Sequence, residues 1–223
     1  MRPGQITAVI FDLDGTILDT LEDIANSANH VLRANGFPPH PIKTYKKYIG
    51  EGTEKLILNA LAGTPATETQ RMKIVDEYKT HYRSHCTVDT RVFEGVSEVL
   101  SILKQKRYRL AVLSNKTDYL VQICIEHYFE GGLFEEVHGV TNTIPAKPNP
   151  NGVIYILERL GVDKQECALV GDSDTDIKTA INAEVCPIGV TWGYRPLDVI
   201  LKAGAKALAT KPAELLAIIN SVN

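Results

Sequence analysis

The stretch that most constrains this chain is Asp12-Leu13-Asp14-Gly15-Thr16, because it follows directly on Ala8-Val9-Ile10-Phe11, an unbroken apolar run too short for a helix. An uninterrupted run, unlike an alternating one, suits a parallel strand covered on both faces. Asp12 and Asp14 then stand at its carboxyl edge, where open α/β sheets bind ligands. Residues two apart in extended chain point the same way, so both carboxylates converge on one side. Gly15 lets the backbone turn without a side chain in the way. An ordinary polar turn would use the same residues, since Asp and Gly are common turn formers. The later strand ends must therefore discriminate.

Three further candidate strands lead into groups with ligand chemistry. Leu110-Ala111-Val112-Leu113 ends on Ser114-Asn115-Lys116, a hydroxyl and backbone amides suited to a phosphate oxyanion. A plain helix cap would look the same. Glu136-Val137-His138-Gly139-Val140 leads into Ala146-Lys147-Pro148-Asn149-Pro150, where prolines stiffen a loop and place the Lys147 charge. Cys167-Ala168-Leu169-Val170 precedes Gly171-Asp172-Ser173-Asp174-Thr175-Asp176. Three carboxylates in five residues repel one another; a divalent cation neutralises them, and hard oxygen ligands suit magnesium. An acidic helix start favoured by the helix dipole is the competing account. Asp174 is read as a cap or surface residue. Pro187 to Thr191 and Ala207 to Ala209 read as further strands, and Pro212 to Ile219 as a closing helix. The repeated β-then-α order demands a parallel sheet with helices on both faces, a Rossmann-like α/β core.

Between the first two strands the pattern is helical. Leu21, Ile24, Ala25, Ala28 and Leu32 form one stripe, Leu56, Ile57, Ala60 and Leu61 a second, and Ile74, Val75, Tyr78 and Tyr82 a third that opens on Thr67 with Gln70 in capping-box spacing. An insert of about 70 residues is far longer than an ordinary connection. Residues 17–86 are therefore expected to form a separate small all-helical domain, and residues 1–16 with 87–223 the core, Thr87 to Glu94 being the return linker.

The four strand-end motifs, in this order, resemble the haloacid dehalogenase-like superfamily of phosphotransferases, and Gly193-Tyr194-Arg195 with Gly204-Ala205 resembles its phosphoglycolate phosphatase branch. The resemblance implies Asp12 as nucleophile, Asp14 as general acid/base, and Ser114, the Asn115 amide and Lys147 as phosphate holders. It implies Mg²⁺ bound by Asp12, the Asp14 backbone carbonyl and Asp172, with Asp176 in support. It implies that residues 17–86 are a helical cap closing over the site, in which the loop matching Gly50-Glu51-Gly52 reaches toward the leaving group and sets specificity. Glu51 there would disfavour a carboxylated substrate unless Lys46, Lys47 or Arg195 offset it. The chain departs from the family pattern at Glu184, where Gly is usual, so an altered helix end is expected there. Trp192 is read as a half-buried loop residue.

The activity implied is Mg²⁺-dependent hydrolysis of a small phosphomonoester through an aspartyl-phosphate, phosphoglycolate foremost. A phosphosugar mutase of the beta-phosphoglucomutase kind, or a pyrophosphatase, would share the core, and a phosphate-binding regulatory module with a dead site would belong to another class. Composition sets the setting. With 223 residues, 44% hydrophobic and a net charge of −3, the chain has no basic footprint for nucleic acid. No run approaches a membrane span, and Met1-Arg2-Pro3-Gly4-Gln5 carries no apolar signal core. Cys86, Cys124, Cys167 and Cys186 lack C-x-x-C pairing and read as reduced. A cytoplasmic monomer or weak homodimer acting on a small phosphorylated metabolite is expected.

Overall fold

The computed structural model describes residues 5–222; Met1 to Gly4, part of the expected signal-free start, lie outside them. The chain runs β1 (Ala8–Phe11), β2 (Leu18–Asp19), α1 (Leu21–Ala34), a 3-10 turn (Ile42–Lys47), α2 (Thr53–Ala60), α3 (Glu68–Arg83), β3 (Arg91–Val92), α4 (Val96–Gln105) and β4 (Arg109–Thr117). It continues through α5 (Asp118–Tyr128), β5 (Glu136–Val140), α6 (Asn151–Leu160), a 3-10 turn (Lys164–Glu166), β6 (Cys167–Gly171), α7 (Asp174–Asn182), β7 (Cys186–Val190), α8 (Leu197–Lys202), β8 (Ala207–Ala209) and α9 (Glu214–Ser221).

Six strands form one parallel sheet in the order β5-β4-β1-β6-β7-β8. The side chains of its central strands alternate between two apolar layers. Val9, Phe11, Leu110, Val112, Ala168 and Val170 join the cluster that also contains the packed faces of α1, α2 and α3. Ala8, Ile10, Ala111, Leu113, Cys167 and Leu169 join the other, against α6 and α7. A strand buried on both faces tolerates no polar position, which is why these runs are unbroken. The order also sets β1 between β4 and β6, with Phe11 level with both Val112 and Val170. The first residues past these strands are thereby brought side by side.

The three helices expected after the first motif are present, and Thr67 and Gln70 form the capping box over α3. Their insert is not wholly helical at its root. β2 and β3 pair antiparallel, Leu18 with Val92 and Asp19 with Arg91, so the outgoing and returning chains form a stem where helix was expected from Ile17 and a plain linker from Thr87. Two-residue strands carry no periodicity to read. The 3-10 turn and α8 are too short for the same reason. Above the stem, buried Asp23 accepts from the amides of Val88, Asp89 and Thr90 at 2.8–3.0 Å, tying the return to α1. Buried Asn29 does the same for the loop before the 3-10 turn, exchanging bonds with the His40 backbone and accepting from the Tyr45 hydroxyl.

β4 is longer than its apolar run suggests. It continues to Thr117 with a register shift between Leu113 and Thr117, so Ser114, Asn115 and Lys116 sit in a bulged strand end, and the α5 cap is Thr117 instead. Bulges re-aim side chains beside functional sites. The closing helix starts two residues later than Pro212 and extends to Ser221. Glu184 takes the left-handed conformation (φ 58°) after α7, with Val185 N–H donating to Ala180 O and Glu184 N–H to Ile181 O, a Schellman end completed without glycine.

Candidate active site

A tight turn closes β1. The amides of Ile17 and Leu18 both donate to Leu13 O, and Gly15 N–H donates to Leu18 O, with Gly15 at φ 89°. This turn leaves Asp12 and Asp14 facing one cavity but gives them different neighbours. Asp12 Oδ1 accepts from Lys147 Nζ at 2.6 Å, and its Oδ2 from Thr16 Oγ1 at 3.2 Å. Asp14 Oδ1 accepts from Thr20 Oγ1 at 2.8 Å and from Lys116 Nζ at 2.7 Å. One carboxylate faces the core loops, the other the helical insert.

Lys147 Nζ uses its three protons on Asp12 Oδ1, Asp176 Oδ1 (2.6 Å) and Leu113 O (3.0 Å). Burial opposes its charge, but the two aspartates outweigh that and hold the ammonium above the usual lysine range. Asp176 Oδ2 also accepts from the amide and hydroxyl of Ser173, and Ser173 Oγ accepts from the Asp176 amide, a capping box at the start of α7. The acidic helix start and the acidic cluster are thus the same residues. Asp174 is outside the cluster, paired with Lys178 at 2.6 Å.

Oxygens of Asp12, Asp172 and Asp176 lie within 4.8 Å of one another, all three residues being buried. Burial and the neighbouring charge of Asp176 push the Asp172 carboxyl up to about 7. Burial likewise lifts Asp12 well above the ordinary carboxylate range, against the pull of Lys147 and with Asp176 and Asp172 adding to it. Desolvated like charges of this kind are relieved by a cation. Asp172 spends Oδ2 on the Tyr194 amide at 2.5 Å and has Oδ1 left for the cavity. The all-oxygen donor set therefore fits a hard divalent ion.

The phosphate-holding candidates are gathered at the same edge. Ser114 is buried, its Oγ accepting from Lys116 N–H at 3.2 Å. Asn115 has its side chain committed: Nδ2 donates to Gly50 O (2.7 Å) and Lys147 O (3.0 Å), and Oδ1 accepts from Lys147 N–H (2.6 Å). It joins the Gly50 loop of the insert to the Lys147 loop. Of the loop expected to set specificity, Gly50 and Gly52 line the cavity. Glu51 does not: it is exposed and pairs with Lys55, one helical turn on, because the positive-φ glycines on either side turn it outward.

The contacts of several residues were missed in the sequence. Lys116 is buried and also donates to Tyr82 OH at 2.8 Å, bridging β4 to α3. Thr20 holds Asp14. Tyr194 accepts from Thr20 N–H at 2.8 Å and donates to Asp19 Oδ1 at 3.0 Å, while Trp192 Nε1 donates to Thr16 O, so this tryptophan anchors the β1 turn instead of merely filling a loop. Arg195 donates to the carbonyls of Lys46 and Ile49. The signal available was the Trp192-Gly193-Tyr194-Arg195 run itself, aromatic and cationic residues directly after a buried strand at the ligand edge.

A family model for haloacid dehalogenase-like hydrolases matches residues 9–190. A phosphoglycolate phosphatase from Agrobacterium fabrum is 33% identical over 193 residues, covering 86% of this chain and 83% of the relative. One from Haemophilus influenzae is 31% identical over 221 residues, covering 96% and 99%. The crystal structure of a candidate phosphoglycolate phosphatase from Lactobacillus delbrueckii subsp. bulgaricus superposes with a TM-score of 0.92 at 31% identity, covering 97% and 99%. The chain belongs to the haloacid dehalogenase-like hydrolase family. Within it the protein is a phosphatase, a phosphoric monoester hydrolase resembling the phosphoglycolate phosphatases.

Proposed function

We propose that the protein hydrolyses a small phosphomonoester, phosphoglycolate foremost, through a phosphoryl group carried on Asp12. The observation that carries this reading is the division of partners between the two carboxylates of one turn. Asp12 is aimed into the acidic, Lys147-bound end of the cavity, and Asp14 is held by Thr20 and Lys116 on the side of the insert. An Asp12 oxygen forms the bond to phosphorus as the bond to the leaving oxygen breaks, and Asp14 gives that oxygen a proton. Asp14 then takes the proton of the water that attacks the phosphoryl-aspartate. Inorganic phosphate leaves and Asp12 is restored. Ser114 Oγ, the Asn115 backbone amide and Lys147 steady the equatorial oxygens.

Mg²⁺ held by Asp12, the Asp14 backbone carbonyl and Asp172, with Asp176 in support, would supply positive charge to a phosphate oxygen. Residues 17–86 act as the cap that excludes bulk water, over a core of residues 1–16 and 87–223. Gly50 and Gly52 bring the backbone of the insert near the leaving group, and the outward Glu51 removes the charge objection to a carboxylated substrate. No helix among the described residues is long and apolar enough to cross a membrane. The four free cysteines fit a reducing, cytoplasmic setting.

Acid-quenched enzyme mixed with substrate and Mg²⁺ should carry a phosphoryl group on the peptide containing Asp12. Asp12→Asn should carry none, and Asp14→Asn should slow both its formation and its decay. Phosphate trapped on Ser114 or Asp14 would overturn the assignment. Inorganic phosphate as product separates the hydrolase from a mutase, which would yield a phosphate-shifted isomer.

A further inference from the structure

We infer that Lys116 is a specificity-determining residue, seating a carboxylate carried by the substrate's leaving group one or two carbons from the ester oxygen. The inference rests on Asp14 as proton donor to that oxygen, and deepens the phosphatase reading by naming the substrate class and the residue that selects it.

Lys116 Nζ lies 2.7 Å from Asp14 Oδ1 and 2.8 Å from Tyr82 OH. An ammonium has three protons, and no acceptor among the described residues takes the third. Lys116 lines the cavity that holds Asp12 and Asp14. Lys147 has all three protons on Asp12, Asp176 and Leu113, and Arg195 spends two of its five on the carbonyls of Lys46 and Ile49, which leaves Lys116 as the lining cation hydrogen-bonded to Asp14.

The insert's side of the cavity carries the apolar side chains of Ile24, Ile49 and Leu56 and the Tyr78 ring, with Thr53 and Tyr82 the other side chains there. A carboxylate placed against that side without a cation would be buried unpaired, which is strongly unfavourable. A leaving oxygen within proton reach of Asp14 brings a carboxylate on the adjacent carbon beside the same ammonium. A neutral group of the same length meets an ammonium already shared by Asp14 and Tyr82 and gains little from it. Specificity then comes from the charge-assisted bond that only the acid can make.

The test compares phosphoglycolate with hydroxyethyl phosphate, which keeps the two-carbon skeleton and replaces the carboxylate by an alcohol. The wild-type enzyme should favour phosphoglycolate in kcat/KM by about 100-fold. K116Q, and K116M whose stem fills the same space, should bring that ratio to within a few-fold of one, whatever loss the two esters share; K116R should keep more of it. A wild-type ratio near one overturns the inference, as does a ratio that survives in folded K116Q or K116M. If neither variant folds by circular dichroism, the wild-type ratio decides. Failure of the phosphatase reading looks different: neither ester, nor an aryl phosphate, would release inorganic phosphate in the presence of Mg²⁺.

Discussion

At Gly193 a single methyl group decides whether Asp172 keeps its place. A Cβ there would collide with the Asp172 carboxylate and with the Gly15 carbonyl, and one on Gly15 would strike the same carboxylate from the other side. Asp172 is clasped between two backbones, a feature legible only once strand β7 is seen beside β6. Gly193→Ala should therefore weaken divalent-ion affinity about 10- to 100-fold, measured by calorimetric titration, with helix content unchanged. An unaltered titration would mean that Asp172 does not depend on this contact. Glu184 offers the opposite case, an exposed residue whose cost is in its backbone. Its left-handed φ disfavours any side chain, and its exposed ion pair with Lys164 returns little. Glu184→Gly should raise stability by about 1 kcal/mol, a melting shift of about 3 °C, without altering kcat/KM.

Among the elements, the loop after β7 has the widest reach. Within four residues it supplies an amide to Asp172, a hydroxyl to the Thr20 turn and a guanidinium to the 3-10 turn of the insert. Removing only the last should loosen the insert and leave the fold intact. Arg195→Ala is expected to speed amide exchange across residues 42–52 and raise KM about 10-fold; equal exchange in both proteins would show that Arg195 does not tether the loop. The stem depends on Asp23 in a different way. Asp23→Ala leaves three backbone amides without their acceptor, that of Thr90 fully buried, a loss of about 3 kcal/mol readable by urea unfolding. The α1 stripe was plain in the sequence, but the role of Asp23 had no local signal because its partners lie some 65 positions later.

For the whole molecule, the acidic cluster ties stability to pH and, on the proposed function, to metal. Asp172 is lifted from an ordinary carboxyl value to about 7, so the metal-free folded state binds its proton more tightly than the unfolded chain does. Its stabilising contribution is complete below the unfolded value and is lost as pH rises to and through about 7. The metal-free protein should accordingly lose melting temperature between about pH 4 and pH 7. Mg²⁺ at ten times its Kd should add about 1.4 kcal/mol at the upper end, and none in Asp172→Ala. A flat metal-free profile together with no Mg²⁺ shift would detach the cluster from metal binding.

The sequence by itself determined the parallel α/β core, the helical insert and the positions of Asp12, Asp14, Ser114, Lys147, Asp172 and Asp176. All but Lys147 follow a strand buried on both faces, which writes itself as an unbroken apolar run ending where polar residues resume; Lys147 follows the partly buried β5 and was marked by its prolines. Tertiary structure alone decided which atoms those residues share. Lys116 was visible as a letter after Ser114-Asn115, but its burial between Asp14 and Tyr82 depends on a bulge in β4 and on the docking of α3, and neither has a local pattern. The outward turn of Glu51, the commitment of the Asn115 side chain to Gly50, and the grip of residues 192–195 on the β1 turn are likewise contacts between distant segments. Periodicity records which face of an element is buried; it carries no record of what that face is buried against.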